Sequence, residues 1–365
     1  MRGHKPDKIL FVLFGIFIAL GLFIVFDASS VRALLVKNDP FFYFKKQLLY
    51  LLIGLAAGFF AYKINVSVWK KLSFVVLFLS FILLASVFVP GLGVEQKGAT
   101  RWIYVGSMSV QPVEFFKIGL IIYLASFFSK KQSSINNFLE TTFPFLIILG
   151  LAILILLFQH SFGMMVIVSG IALSMLFAAG ADVKNIFLIS LVAAMAFGAF
   201  MLIEPYRVQR LLTFLNPSED LQGSGYQINQ ALISIGSGGM TGVGLGHSRQ
   251  KFNFLPETMG DSIFAIFAEE TGFIGTAIIL VLISVFAWRG FNISRKSRDN
   301  FPRFLAFGIA FAITFQFLFN IAAISNLIPL SGIPLPFFSY GGSSLISTLI
   351  MAGLLLNISR YTVRG

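Results

Sequence analysis

Four acidic residues crowd into "FLPETMGDSIFAIFAEETG", residues 254–272: Glu257, Asp261, Glu269 and Glu270. The whole chain of 365 residues has only 15 Asp and Glu, so the stretch is out of proportion to the composition. Pro256 and Gly260 predict a turn leading into a helix, with Asp261 near the helix N-terminus and an apolar run directly after it. A carboxylate there is favoured by the helix dipole, by about 0.3–1 kcal/mol, and can serve as a plain N-cap. It can also act as an acid or base at a membrane face, reached from water and by a lipid-borne substrate. Glu269 and Glu270 lie further along the same helix, about 80° and 180° around from Asp261 and roughly two turns into the bilayer. A bare charge at that depth costs several kcal/mol. Both glutamates must therefore face protein or a wet cavity, and at least one needs a basic or backbone partner.

Other stretches bring further candidates. In "GATRWIYVGSMSVQPVEFFKIGL", Glu114 and Lys117 are three apart, so they share a helix face and can pair. They form either a structural ion pair that lets the helix pack or the charged wall of a cavity, with Lys117 or Arg101 available to a phosphate. "NLIPLSGIPLPFFSYGGSS" holds Pro329, Pro334, Pro336, Gly332, Gly341 and Gly342 around Ser339. Irregular backbone at membrane depth survives only where protein or water satisfies it, which predicts a re-entrant loop lining a cavity; a rigid outer loop is the plainer alternative. Gly242, Gly244 and Gly246 look like a phosphate loop, but no strand precedes them and no Gly-Lys-Ser/Thr ends the run. His4, His160 and His247 have no metal-binding spacing, and the absence of cysteine excludes thiolate metal sites, disulfides and a Cys nucleophile.

The elements that must position these groups are membrane helices. The composition is 57% hydrophobic and 12% charged, with 44 Phe; soluble domains carry roughly 25% charged residues. Long apolar runs predict an all-α, polytopic integral membrane protein of about ten spans, used as one domain over 1–365. The spans fall near 9–26, 48–62, 72–89, 112–128, 142–158, 162–179, 185–203, 262–287, 303–324 and 343–358. With the N-terminus inside, 16 of the 27 Lys and Arg lie in the short cytoplasmic segments, so the positive-inside rule puts both termini in the cytoplasm. The net charge of +12 is explained by those basic span ends, and no polar domain exists to present a basic patch to nucleic acid. The outer segments 90–111, 204–261 and 325–342 are longer and more polar. The second of them, between helices 7 and 8, is the largest soluble piece, and its "GYQINQALISIGSGG" predicts a short amphipathic helix ended by glycines.

The ordered set "GATRWI…QPVEFFK", "FLNPSEDLQGSGYQINQALISIGSGGMTGVGLGHSRQKFNFLPE…D", "AEETGFIG" and "SGIPLPFFSYGGSS" resembles the SEDS family (shape, elongation, division and sporulation proteins) from the first span to the last. The resemblance implies a ten-span peptidoglycan glycosyltransferase in the bacterial cytoplasmic membrane. Such an enzyme polymerises lipid II into β-1,4 glycan strands at the outer face and releases undecaprenyl diphosphate. "GLGHSRQK" is more similar to the division (FtsW) branch than to the elongation (RodA) branch, with an elongation-type polymerase in cell-shape maintenance as the alternative. The family further implies a class B penicillin-binding protein, a transpeptidase, as partner, together with divisome proteins.

By the same resemblance Asp261 takes the place of the family's essential acid, the base that deprotonates the attacking sugar hydroxyl. Arg101, Lys117, Arg207, Arg210 and Lys251 become candidates to neutralise the diphosphate, with Glu114, Glu257, Ser339, Gly341 and Gly342 on the substrate side. A divalent cation, Mg or Mn, could assist there, though nothing in the sequence shows one. Two departures stand out. The chain has Met259-Gly260-Asp261 where the family commonly reads His-Thr-Asp. It has Gln159-His160-Ser161-Phe162-Gly163 where the family commonly reads Gln-Pro-Asp-Leu-Gly. Two other functions fit the buried charges: a flippase that moves lipid II across the bilayer, and a scaffold that only recruits a partner.

Overall fold

The apolar runs form helices because a chain in lipid must satisfy every backbone N–H and C=O internally. The computed structural model describes residues 4–96, 99–106, 108–203, 213–215, 223–252 and 254–362. Its helices are α1 (Lys8–Lys37), α2 (Phe42–Lys63), α3 (Val66–Ala85), α4 (Pro112–Lys130), α5 (Phe143–Phe158), α6 (Phe162–Ala178) and α7 (Val183–Ile203). After the outer segment come α8 (Ser224–Ser237), α9 (Ile263–Lys296), α10 (Asn300–Ile324) and α11 (Gly342–Ser359). Eight of them are long and apolar enough to span a bilayer; Phe162–Ala178 and Val183–Val192 are shorter apolar helices in the places of the sixth and seventh expected spans. The protein is an all-α integral membrane protein.

Packing sorts these helices into a buried centre and a lipid-facing periphery. α4, α10 and α11 are mostly enclosed by protein, whereas α3 and α5 expose most of their side chains. α2 lies along α11, α3 along α4 and α9 along α10. The α2–α11 contact uses small residues: a Cβ at Gly353 would stand 2.1 Å from the Gly58 carbonyl oxygen, so the backbones touch. The two ends of the chain meet on one face, where the His4 N–H donates to the Arg360 carbonyl (3.0 Å) and the Asp7 N–H to Ser359 Oγ (3.0 Å).

Several elements run differently from the spans read in the sequence. α1 continues past residue 26 to Lys37, which carries Asp27 inside a helix. α3 begins at Val66 and α9 runs on to Lys296, because polar residues tolerated at the headgroup level extend the helix beyond its apolar run. The segment 90–111 is not wholly irregular. β1 (Gly93–Gln96), β2 (Ala99–Val105) and β3 (Met108–Val110) form a small antiparallel sheet on the face away from the termini. The loop between α10 and α11 turns back into protein: Ile333, Leu335, Phe337 and Phe338 are buried, and Phe338 packs edge-on to Phe17 and Phe317.

Candidate active site

Asp261 closes a tight turn at the head of α9. The N–H groups of Gly260 and Ser262 both donate to the Glu257 carbonyl (2.9 and 3.3 Å), and Glu257 itself adopts a left-handed φ of 53°. The Asp261 side chain is half-buried, and Glu257 is exposed on the rim. Three distant segments hold this turn in place. From α8, Gln227 Nε2 donates to Ser262 Oγ (2.9 Å) and to Asp261 Oδ1 (3.3 Å). From α10, Asn320 Nδ2 donates to the carbonyls of Asp261 (2.9 Å) and Ile333 (2.7 Å), joining the turn to the inserted loop. From that loop, Ser339 Oγ donates to the Gly260 carbonyl (2.6 Å) and the Tyr340 N–H to the Met259 carbonyl (2.8 Å). Gly332 has φ 66°, and a Cβ there would stand 3.7 Å from Asp261 Oδ2. The left-handed φ favours a glycine at this turn, which brings the inserted loop within van der Waals reach of the carboxylate.

The other candidates occupy distinct places. Ser339 positions the inserted loop: besides its bond to Gly260, it accepts from the Leu335 N–H (2.7 Å), and Gln47 Nε2 reaches its carbonyl (3.3 Å). The Gly341 N–H donates to Gln47 Oε1 (3.4 Å). Gly342 opens α11 against Tyr50, whose ring would lie 2.9 Å from an added Cβ. Arg101, on β2, is half-buried and donates to the carbonyls of Gln159 (3.4 Å) and His160, so it ties the sheet to the α5–α6 turn. Arg207 and Arg210 lie outside the described residues.

Glu114 and Lys117 form the ion pair their spacing predicts, at 2.9 Å and fully buried. The structure adds two partners from other helices. Lys117 donates to Gln316 Oε1, and Ser347 Oγ donates to Glu114 Oε2 (2.9 Å). Gln316 in turn donates to the Pro334 carbonyl (3.0 Å), so the pair is wired to the same inserted loop that braces Asp261.

Lys251 is buried, and its ammonium bridges Asp27 Oδ1 (2.9 Å) and Glu270 Oε1 (3.1 Å). Glu270 also accepts from the Ser248 N–H (3.0 Å). Glu269 accepts from the Arg249 N–H (3.0 Å), Ser234 Oγ (3.1 Å) and Ser248 Oγ. The glycine run is backbone-to-backbone contact and not a phosphate cradle. The N–H groups of Val243 and Gly244 donate to the carbonyls of Glu269 and Glu270 (3.0 and 3.1 Å). Gly272, φ 64°, breaks α9 there, and a Cβ on it would stand 2.3 Å from the Gly242 nitrogen.

Sequence reasoning missed Asp27, Gln47, Gln227, Gln316, Asn320 and Ser347. For Gln316 and Asn320 a signal existed: two amides four apart inside an apolar span cost energy unless they have partners. Asp27 was read as lying beyond the first span. Among the described residues no three His, Asp or Glu side chains come together to hold a metal ion. An apolar groove of about 730 Å³ opens among α5, α6, α7 and α10, lined by residues such as Leu149, Ile153, Leu173 and Phe315.

Together these features define a polytopic membrane protein with Asp261 set at the rim of its bundle, in a turn braced by helices and a loop far apart in sequence. The family model described as "Cell cycle protein", which gathers FtsW, RodA and SpoVE, matches residues 7–364, and the chain belongs to this SEDS family. It is 42% identical to stage V sporulation protein E of Bacillus subtilis over 361 residues, covering 99% of both chains. It is 40% identical to a probable peptidoglycan glycosyltransferase FtsW of Geobacter sp. over 358 residues, 98% of each. Among solved structures, a chain described under "Structural coordination of polymerization and crosslinking by a peptidoglycan synthase complex" matches with TM-score 0.81 at 25% identity, over 97% of this chain and 98% of that one. A point mutant of Thermus thermophilus rod shape determining protein RodA matches with TM-score 0.71 at 25% identity, over 99% of each.

Proposed function

We propose that this protein is a peptidoglycan glycosyltransferase that joins lipid II units into β-1,4 glycan at the outer face of the bacterial cytoplasmic membrane, with Asp261 as its base. The observation that carries the reading is the bracing of a half-buried Asp261 by α8, α10 and the inserted loop, in a chain that relatives named as peptidoglycan glycosyltransferases match nearly end to end. The reaction needs a sugar hydroxyl to attack the anomeric carbon of a lipid diphosphate. Asp261 takes the hydroxyl proton as the new C–O bond forms. The bond from the anomeric carbon to the diphosphate oxygen breaks with its electron pair on the leaving group. One in-line displacement converts an α-linked donor to a β product, so no covalent nucleophile is needed.

Positive charge at the leaving diphosphate stabilises the transition state. The ammonium groups of Lys117 and Lys251 are held by buried carboxylates, which favours Arg101, Arg207 and Arg210 for this role. Glu257, exposed beside Asp261, is placed to meet the sugar. The groove among α5–α7 and α10 suits a polyprenyl chain. Among the described residues no three His, Asp or Glu side chains cluster to cage a metal; a divalent cation, if used, would supply positive charge to the diphosphate, and no step here is routed through one.

The meeting of the two termini on one face, together with the positive-inside pattern, supports cytoplasmic termini and an outward-facing Asp261. The chain works as one membrane domain, in septal synthesis with a class B transpeptidase and divisome proteins; relatives named FtsW and SpoVE support the division-type reading over an elongation role. The test is purified protein, with and without a transpeptidase, supplied with lipid II beside Asp261→Asn. Glycan strands from wild type alone are expected. Labelled lipid II crossing vesicles with no strands under any condition would replace the polymerase by a flippase.

A further inference from the structure

At the end of the bundle opposite Asp261, about 30 Å away along α10 from Asn320 to Asn300, lies a cavity of about 610 Å³. It is walled by the first turn of α3, the ends of α4 and α11, and the Ser297–Pro302 link between α9 and α10. Lys70 and Arg298 bring two cations to its lining, and Asp299 one carboxylate. Neither cation has an ion-pair partner among the described residues, unlike Lys117 and Lys251. Hydroxyls of Ser67, Ser129 and Tyr361 add neutral polar groups beside them.

We infer that this cavity binds the phosphate group of an anionic phospholipid headgroup. The chemistry shared by its possible occupants is a phosphate ester carrying negative charge, which two cations beside hydroxyls, unpaired among the described residues, would recognise. The surroundings favour the lipid over a soluble ester. α3 continues from Ser67 and Lys70 to Phe74 and Phe78, which lie 66% and 57% exposed along the same side of the helix, where acyl chains would run. The cavity is thus a polar opening at the top of an apolar, lipid-facing stripe. Basic pockets between membrane helices bind anionic headgroups through the same combination. The mechanism of Asp261 uses none of these residues.

The test is native mass spectrometry of the full-length protein titrated with phosphatidylglycerol or phosphatidylethanolamine. One phosphatidylglycerol is expected to bind tightly and to be preferred over phosphatidylethanolamine. Lys70→Ala/Arg298→Ala should weaken it roughly thirtyfold, from about 1 kcal/mol per cation at a membrane surface. Lys63→Ala/Lys71→Ala removes the same charge outside the cavity and should leave binding unchanged, while Lys70→Arg should retain it in a protein that folds. Equal losses in both double variants would reduce the site to general surface charge and overturn the inference. Displacement of the lipid by millimolar glycerol phosphate, with no preference between the lipids, would overturn the lipid assignment. The readout is binding, so it stands or falls independently of polymerase activity.

Discussion

Two carboxylates, one in the turn before α9 and one within it, lie nine residues apart and are held in different ways. Around Glu270, the Lys251 ammonium bridges two acids and Ser248 adds an N–H; Lys251 and Glu270 are buried and Asp27 nearly so. Around Asp261, an uncharged amide from Gln227 reaches the carboxylate while stronger bonds go to the surrounding backbone, and the side chain stays half-exposed. In the first site one cation shared by two acids holds segments together. In the second, uncharged donors from three distant segments hold the turn itself. The buried Glu114–Lys117 pair belongs with the first kind, since its members also bind Gln316 and Ser347.

The contrast can be broken at its sharpest point by Asp261→Asn. Losing a general base should cost about 10²–10⁴ in polymerisation rate while the thermal unfolding midpoint in detergent stays near wild type. A variant that unfolds early would place Asp261 with the structural acids. Lys251→Met should do the reverse. It leaves Asp27 and Glu270 buried without their cation, at a cost of about 3–5 kcal/mol in stability. A stable Lys251→Met protein with a raised KM for lipid II would return Lys251 to the substrate.

Asn320→Ala sharpens the middle ground, since it strips a donor from two carbonyls at the base of the Asp261 turn. We expect about 1–3 kcal/mol, read mainly as a fall in kcat with KM little changed; an unchanged kcat would show that the turn holds its shape without α10. The smallest effect belongs to the double change Glu114→Gln/Lys117→Met. It removes both buried charges together, so the cost should fall well below that of Lys251→Met in the same unfolding assay. An equal or larger loss would mean that the inserted loop depends on the ion pair itself.

Parts of this design were legible in residue order. The i, i+3 spacing of Glu114 and Lys117 placed both on one helix face, and the pair forms within that single helix. Glu269 and Glu270, too deep to stay bare, did find backbone and basic partners. The prolines and glycines around 329–342 marked the chain that turns back into protein. The small sheet of β1–β3 was not read, because three short strands in an outer loop carry little periodic signal.

The sequence alone therefore determined what depends on local spacing and on solvent. Its apolar runs required helices across a bilayer, and its ordered motifs pointed to the family. What only the tertiary structure decided is how each charge is used. Asp27, Lys251 and Glu270 meet from three elements spread along the chain, as do Gln227, Asn320 and Ser339 around the Asp261 turn. No short-range pattern encodes such meetings. They arise when helices pack and each buried polar group must find the partner that offsets its lost water.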